Sequence, residues 1–240
     1  MVRSNRAIDR GYGFIFDSFP GEEAIVAGGG GICPGAGTTC YAIKRSKLKY
    51  HFMNQHSHAV DKRLIAGNLN DFDSIAMELA SRSDWEPLWD QLVGDYHYLG
   101  YQKLLGFRLK YMAFINERPV AALSWSAPAL KLAARDCFVG WSSEQRKRHL
   151  KQIAGNSRFL VMPWVRIPNM ASHVLALNIS RLPLDWQRHF NHRLLLLETF
   201  VDGRFYKGTC YKASNWLHVG HTHGSTKLGK GYRYHGSRKE

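Results

Sequence analysis

The chain has 240 residues, of which 45% are hydrophobic and seven are tryptophan, so it is long enough for one packed domain plus an extension. Its 33 Lys and Arg residues against 19 Asp and Glu residues give a formal net charge of +14, which favours a polyanionic partner, usually nucleic acid, over a merely basic surface. No stretch approaches the ~20 apolar residues that cross a bilayer, and the first residues lack the apolar run of a signal peptide, so we expect no membrane partner and a cytoplasmic location with reduced thiols.

Residues 1–70 are predicted to be an N-terminal extension that is partly flexible. The segment "VAGGGGICPGAGTTC" is glycine-rich and has neither helical nor strand periodicity. Gly28–Gly31 are not followed by the Lys-Ser/Thr of a phosphate-binding loop. A zinc site here is disfavoured because the gap between the cysteines exceeds the usual ~2–4 residues; its ligands would be Cys33, Cys40, His51 and His56.

The main domain is predicted over residues 71–224, and its first half alternates helices with antiparallel strands. "DFDSIAMELASRS" (71–83) is interpreted as a short helix, and a longer helix follows Asp84 as its N-cap. "YMAFINERPVAALSW" (111–125) predicts a hairpin that turns at Asn116 and Pro119. "RDCFVGWS" (135–142) is interpreted as a third strand, followed by a basic helix that begins near Ser142 or Ser143.

The second half of the domain predicts a strand–helix–strand unit. "RFLVMPWV" (158–165) and "RLLLLETFV" (193–201) are apolar at nearly every position, which indicates strands buried on both faces in a parallel pair. The intervening helix carries Ala171, Val174, Leu175 and Leu182 on one face. We therefore expect an α/β (α+β) fold with a mixed sheet in which antiparallel strands come first. A short helical turn through Tyr211, a last strand "WLHVG" and a flexible basic tail (225–240) complete the prediction.

This order of elements resembles the GNAT acyltransferase fold. In that family the acyl-CoA pyrophosphate binds a glycine-containing strand-to-helix junction, which here reads "RIPNMAS". The resemblance implies acyl-CoA binding by Arg166, Asn169, Met170, Ala171 and Ser172, although Asn169 stands where the family has glycine. It also implies that Tyr211, in "YKASNW", protonates the departing thiolate as a general acid, with Asn215 and Trp216 in place of the family's Gly and Phe.

A second resemblance covers residues 85–224 and is carried by several motifs in order: "YHYLGY", "RDCFVGWS", "NSRFLVMPWVRIPNMAS", "LPLDW", "LETFVD" and "GTCYKASNWLHVGHTHG". These motifs resemble the DruA family, a domain of the Druantia anti-phage system that also occurs near mobile elements, where relatives are sometimes labelled transposases. The resemblance implies anti-phage defence or mobile-element biology, with other defence-system subunits as further partners. It supplies no reaction.

Two carboxylates are further catalytic candidates. Glu198 ends the leucine-rich strand, where partial desolvation would raise its pKa towards that of a general base. Its alternative role is a structural hydrogen bond to backbone. Asp136 faces the cleft or anchors a turn, and Asp185 is interpreted as a helix cap. Asn178 lies in the apolar row of its helix, as a satisfied buried amide or a substrate contact.

Nucleic-acid contacts are predicted on the basic helix and the tail. The helix supplies Arg146, Lys147, Arg148 and Lys151, and such cations bind phosphates without choosing a sequence. The tail adds Lys227, Lys230 and Arg233, while Tyr232 and Tyr234 would stack on single-stranded bases.

Two alternatives to an acyltransferase stay open. The first is a metal-dependent nuclease or transposase in which Asp136, Asp185, Glu198 and Asp202 converge on two Mg²⁺ ions. The second is a non-catalytic DNA-binding subunit that uses an enzyme-like fold. A metal site at His221 and His223, which would share a face of a strand, is disfavoured.

Overall fold

The computed structural model describes residues 60–103 and 106–222, together with the strand residues 2–3, 225–228 and 231–234. A six-stranded mixed sheet forms the centre of the fold. Its strands, in spatial order, are β1 (Val2–Arg3), β8 (Leu196–Thr199), β6 (Ile153–Val161), β5 (Arg118–Ser126), β4 (Arg108–Ile115) and β3 (Ala76–Leu79). The helices are α1 (Glu86–Tyr96), α2 (Ala133–Val139), α3 (Ser143–His149), α4 (Met170–Phe190) and α5 (Thr209–Ala213).

The pairing of the strands confirms the predicted α+β class. β3, β4, β5 and β6 are antiparallel neighbours, whereas β6 and β8 are parallel and are joined through α4. The parallel ladder runs from Ile153 opposite Leu196 to Asn156 opposite Thr199. β6 continues for five residues beyond this ladder, so the two strands part after Asn156 and the predicted strand 158–165 follows the residues that pair.

The predicted hairpin is confirmed as β4 and β5. Asn116 and Glu117 form the turn, and both have positive φ, at 47° and 65°. This two-residue geometry matches the right-handed twist of the flanking strands. The two strands bury nearly all of their side chains and form the middle of the core.

Helices cover both faces of this hairpin, as the contacts of two adjacent residues show. Lys110 reaches Glu86 and Asp90 on α1, whereas the hydroxyl of Tyr111 donates to Asp185 on α4 at 3.1 Å. Neighbouring residues of a strand point to opposite faces, so α1 and α4 lie on opposite sides of the sheet. Asp185 is therefore a buried residue inside α4, and its predicted role as a helix cap is wrong.

The prediction of a strand over residues 135–142 is wrong. Residues Ala133–Val139 form α2, which ends at Gly140 with a left-handed φ of 73°. The helix places the Arg135 guanidinium between its neighbour Asp136 and Glu198 on β8. These ion pairs attach α2 to the sheet. The basic helix α3 begins as predicted, with Ser142 and Gln145 forming a reciprocal capping box.

The prediction of a helix within residues 71–83 is also wrong. Only a single 3₁₀ turn (Leu69–Asp71) precedes β3, which lies at the edge of the sheet. The apolar residues Ile75, Met77 and Leu79 recur at every second position, which is the period of a strand and not of a helix.

The end of the chain differs from its prediction in two ways. The expected strand "WLHVG" is reduced to one bridge residue, Leu217. The tail predicted to be flexible contains an antiparallel hairpin of β9 (Ser225–Leu228) and β10 (Gly231–Tyr234), in which Lys227 lies opposite Tyr232. A basic, glycine-rich composition therefore does not prevent pairing, because the tyrosine-containing residues 231–234 suit a strand.

Part of the predicted extension belongs to the core. Ile65 is buried, and β2 (Ile65–Ala66) pairs in parallel with β7 (Val165–Arg166), which precedes α4. The glycine-rich segment and the disfavoured zinc candidate, with ligands up to His56, lie outside the described residues. Within the described ranges, no helix is both long and apolar enough to span a membrane.

Candidate functional site

A β-bulge interrupts the antiparallel pairing of β5 with β6 at the point where β6 parts from β8. Ser124 lies opposite Arg158 while the adjacent Trp125 lies opposite Asn156, so Ser157 is an extra residue in β6. The amide nitrogen of Asn156 donates to the carbonyl of Ser124 at 3.0 Å and to that of Arg158 at 3.2 Å, and so closes the bulge. A bulge bends its strand and redirects the residues that follow.

Tyr211 supports this bulge from α5. Its buried hydroxyl donates to the Asn156 Oδ1 atom at 2.6 Å, and burial raises the pKa of this phenol far above its usual range. The ring contacts Phe159 and Trp216 edge to face. Tyr211 therefore lies at the predicted junction, but its hydroxyl is engaged in holding Asn156.

Glu198 and Asp136 are joined by one buried arginine. The Arg135 Nη1 atom donates to Glu198 Oε2 at 2.9 Å, while its Nε and Nη2 atoms donate to Asp136 Oδ1. Arg146 on α3 takes the other oxygen of Asp136 at 3.1 Å. Burial raises the pKa of Glu198 above its ordinary value, and the opposing effects of Arg135 and the Ala129 amide offset this shift only in part. The network ties α2 and α3 to the sheet.

The structure does not bring Tyr211 and Glu198 together. Glu198 lies opposite Gly155 in the parallel ladder, and the next residue, Thr199, lies opposite Asn156, the partner of Tyr211. Consecutive strand residues alternate between faces. Glu198, with Asp136, therefore points to the α2 face of the sheet, and Tyr211 contacts the other face.

The four carboxylates of the metal-dependent alternative do not converge either. Asp185 accepts from Arg181 on its own helix at 2.6 Å, and both oxygens of Asp202 accept from Arg204. Among residues 60–103 and 106–222, no group of three or more His, Cys, Asp or Glu side chains could hold a metal ion. His223 lies outside the described residues.

The residues expected to bind acyl-CoA lie at the start of α4. Asn169 has a left-handed φ of 60°, a conformation that asparagine adopts more readily than most residues. Arg166 is exposed in β7, and Met170, the first residue of α4, is buried. Ala171 is partly buried, and the Ser172 hydroxyl donates to the Asn169 carbonyl.

Arg158, which sequence reasoning missed, is a buried cation just past the bulge. Arg158 is only 8% exposed, and its Nε and Nη1 atoms donate to the carbonyls of Gly100 and Ser157. None of the ion pairs among the described residues includes Arg158. Burial lowers the pKa of this guanidinium.

His97 lies beside Arg158 at the end of α1. Its Nδ1 atom accepts the amide hydrogen of Leu99 at 3.1 Å, which requires this nitrogen to be unprotonated. Burial and the positive charge of Arg158 lower the pKa of His97 from 6.5 to about 4. The imidazole is therefore neutral at neutral pH.

Three exposed aromatic rings complete this region. Tyr98 is 40% exposed, Phe205 is 61% exposed and Tyr206 is 53% exposed. The ring centroid of Tyr98 lies 5.4 Å from that of Phe205 and 5.4 Å from that of Tyr206. We call His97, Tyr98, Arg158, Phe205 and Tyr206 the arginine–aromatic cluster. It lies at the carboxyl end of the parallel pair, where α/β sheets usually bind ligands.

The predicted nucleic-acid residues fall into two groups. On the basic helix, Arg146 is paired with Asp136, whereas Lys147, Arg148 and Lys151 are exposed. In the tail, Lys227 lies in β9 and Arg233 lies in β10 with Tyr232 and Tyr234, while Lys230 is outside the described residues.

The fold and the site define an α+β protein with a mixed sheet and an arginine–aromatic cluster at the end of its parallel strand pair. The family model described as Druantia protein DruA matches residues 46–235. The chain therefore belongs to the DruA family, which connects it with anti-phage defence. Among the curated proteins, none matches the chain.

The missed residues lie inside motifs that carried the family resemblance. His97 and Tyr98 belong to "YHYLGY", and Arg158 belongs to "NSRF". An arginine that opens an otherwise apolar strand was the available signal, since a strand buried on both faces offers it no water. Phe205 and Tyr206 had no such signal, because only the turn after β8 exposes both rings.

Replacing Tyr211 with Phe should destabilise the fold by about 1–3 kcal/mol, because the change leaves a buried acceptor on Asn156 without its donor. Urea unfolding should show a lower midpoint with an unchanged slope. The matched control is Tyr206→Phe, which removes an exposed hydroxyl and should change the free energy of unfolding by less than about 0.5 kcal/mol. Equal stability of both variants and the parent would contradict the role of Tyr211 in holding the bulge.

His97 should titrate with a midpoint near 4 in the folded chain, measured by NMR of its imidazole. Below 6.5, the ordinary value, the unfolded chain binds a proton that the folded chain does not, so the free energy of unfolding falls as pH decreases from 6.5 towards 4. Arg158→Gln should raise the midpoint by removing the neighbouring charge, and Arg166→Gln should leave it unchanged. A midpoint near 6.5 in the parent would show that the His97 ring is neither buried nor close to the charge of Arg158.

Proposed function

We propose that the chain is a nucleic-acid-binding protein of anti-phage defence that holds phosphates on the outer side of α3. The observation that carries the proposal is the unequal pairing of the basic residues of this segment. Arg146 is bound to Asp136, whereas none of the ion pairs among the described residues includes Lys147, Arg148 or Lys151. Three free cations within five residues form a compact positive surface.

The anchoring of α3 supports the proposal because it holds this surface in place. The capping box of Ser142 and Gln145 fixes the start of the helix, and the His149 ring stacks on Trp141 at 5.6 Å. Arg146 connects the helix to the sheet through Asp136 and Arg135. The paired arginine therefore serves the fold, and the exposed cations remain available for phosphates.

The electrostatics of the whole chain favour the same partner. A formal net charge of +14 attracts a polyanion from any direction, and phosphate contacts of this kind bind without choosing a sequence. A binding role is favoured over two-metal hydrolysis because Asp136, Asp185, Glu198 and Asp202 are each engaged by an arginine.

Replacing Lys147, Arg148 and Lys151 together with Ala should weaken binding to single-stranded and duplex DNA alike. The slope of log affinity against log salt should fall by roughly one unit per lost phosphate contact. Fluorescence anisotropy over a salt series measures both effects. The matched control removes three exposed charges elsewhere, at Arg82, Arg166 and Arg188, and should retain more of the affinity and slope. An α3 variant that binds like the control would refute the proposed interface.

Acyl transfer from acyl-CoA is a second candidate, and the left-handed backbone of Asn169 favours it. The exposed Arg166 and the backbone amides of Ala171 and Ser172 in the first turn of α4 would hold the pyrophosphate, since helix N-termini bind anions. Acyl-CoA would supply an activated thioester. Proton donation by Tyr211 would require its hydroxyl to leave Asn156, and for this reason acyl transfer ranks second.

Acetyl-CoA should raise the melting temperature of the chain if this second candidate is correct, because a ligand that binds only the folded state stabilises it. Arg166→Ala should reduce the shift, whereas Asn169→Gly should preserve it since glycine adopts the same left-handed backbone. Arg82→Ala is the matched control for an exposed arginine. A melting temperature that acetyl-CoA leaves unchanged in the parent would remove this candidate.

A further inference from the structure

We propose that the arginine–aromatic cluster binds one nucleotide unit of single-stranded nucleic acid, with Arg158 on the phosphate and the rings of Tyr98, Phe205 and Tyr206 on the base. This inference rests on the proposed function for the class of ligand, but different residues carry it. The cluster would be a second contact, in addition to the phosphate contacts of α3, and would distinguish single-stranded from double-stranded nucleic acid.

The first step concerns the missing counter-charge of Arg158. Three cationic side chains are buried in the described part of the chain. Lys110 contacts Glu86 and Asp90, and Arg135 contacts Asp136 and Glu198. Arg158 has only carbonyl partners.

A buried charge is costly unless an opposite charge compensates it. A guanidinium has five N–H groups, and the two described hydrogen bonds of Arg158 use only part of this capacity. A phosphate accepts two parallel N–H bonds from one arginine and supplies the missing charge. The environment of Arg158 therefore fits an anion that comes from outside the chain.

The second step concerns the exposed rings. Four tyrosine and phenylalanine side chains among the described residues are exposed: Tyr98, Tyr101, Phe205 and Tyr206. Three of these four gather in one place, where Tyr98 lies between the other two. Clustered rings on a surface are a stacking platform for bases, and each base that stacks adds affinity without sequence choice.

The rings are presented by a rigid turn. The buried carboxylate of Asp202 accepts the amide hydrogen of Arg204 at 3.2 Å. The backbone carbonyl of Asp202 accepts the amide hydrogens of Phe205 and Tyr206 at 3.0 Å each. Arg204 also neutralises the carboxylate of Asp202, so this acid does not repel a phosphate strongly. A preformed surface loses less freedom when a ligand binds.

Tyr98 connects the two parts of the cluster. Its ring contacts Phe205 and Tyr206, and it lies in the turn closed by the hydrogen bond from the Gly100 amide to the His97 carbonyl. The carbonyl of Gly100 in turn accepts from Arg158 at 3.0 Å. His97 follows α1 next to it and is neutral, so its ring adds no charge beside Arg158. A phosphate and its base therefore find complementary groups side by side. In a duplex the bases are stacked on one another, so only an unpaired base can reach these rings.

The experiment measures fluorescence anisotropy of a labelled oligothymidylate and of a duplex of equal length, with the full chain. Tyr98→Ala, Phe205→Ala and Tyr206→Ala should each weaken single-strand binding, by roughly five- to 100-fold for a ring that stacks a base, and leave duplex binding unchanged. Tyr206→Phe keeps the ring and should bind like the parent. The matched control is Tyr101→Ala, because Tyr101 is 45% exposed but its ring faces Lys110, outside the cluster.

Arg158→Gln tests the phosphate contact. It removes the charge and keeps an N–H donor for the carbonyls of Gly100 and Ser157. Single-strand affinity should fall with a lower salt slope, while the melting temperature should stay at or above that of the parent, because an uncompensated buried charge is lost. Unchanged single-strand affinity in Arg158→Gln would overturn the phosphate contact.

The remaining outcomes separate the ligands and the two proposals. Thymidine monophosphate at equal nucleotide concentration should not displace the oligonucleotide; displacement would assign the site to free nucleotides and overturn the single-strand assignment. Ring variants that bind single strands like the parent, while the α3 variant loses both ligands, overturn this inference alone. Ring variants that lose single strands, while the α3 variant binds normally, support it and remove the α3 interface.

Discussion

The hydrogen bonds of Asn156 are the constraint on which the rest of the site depends. One side chain closes the bulge through two backbone carbonyls and is held in turn by the hydroxyl of Tyr211. The bulge coincides with the point where β6 leaves β8 after four paired residues, and Arg158 lies directly beyond this point. Asn156 therefore shapes the backbone beside the arginine–aromatic cluster through its hydrogen bonds.

Two buried arginines differ in how the fold compensates their charges. Arg135 lies between two carboxylates and connects α2, α3 and the sheet, so its charge is compensated within the fold. Arg158 is nearly as buried but contacts only carbonyls. The charge of Arg135 is therefore balanced by carboxylates, whereas the charge of Arg158 has no carboxylate partner among the described ion pairs. The chain's membership of the DruA family connects it with anti-phage defence.

Much of the fold could be predicted from periodicity and turn chemistry. The hairpin at Asn116 and the long helix through Val174 and Leu175 are confirmed, because their apolar patterns extend over many residues. The parallel pair is also confirmed, but the residues that pair with β8 are Ile153–Asn156, which precede the predicted strand 158–165. Short segments were predicted less well. Ile75, Met77 and Leu79 belong to a strand, and α2 is a helix whose position depends on the ion pairs of Arg135, which connect residues far apart in the chain.

The sequence by itself determined the α+β class, the parallel pair, the basic charge and the family, since composition, local periodicity and motif order are properties of the chain alone. Only the tertiary structure decided the site. It placed Glu198 and Tyr211 on opposite faces of the sheet, gave Glu198 and Asp136 a common arginine, and left Arg158 beside three exposed rings. The physical reason is that partners of buried charges come from distant segments: Arg135 and Glu198 are 63 positions apart, and the Arg158 partner Gly100 is 58 positions away. No local pattern records such pairings, because they form only when the strands reach their final register.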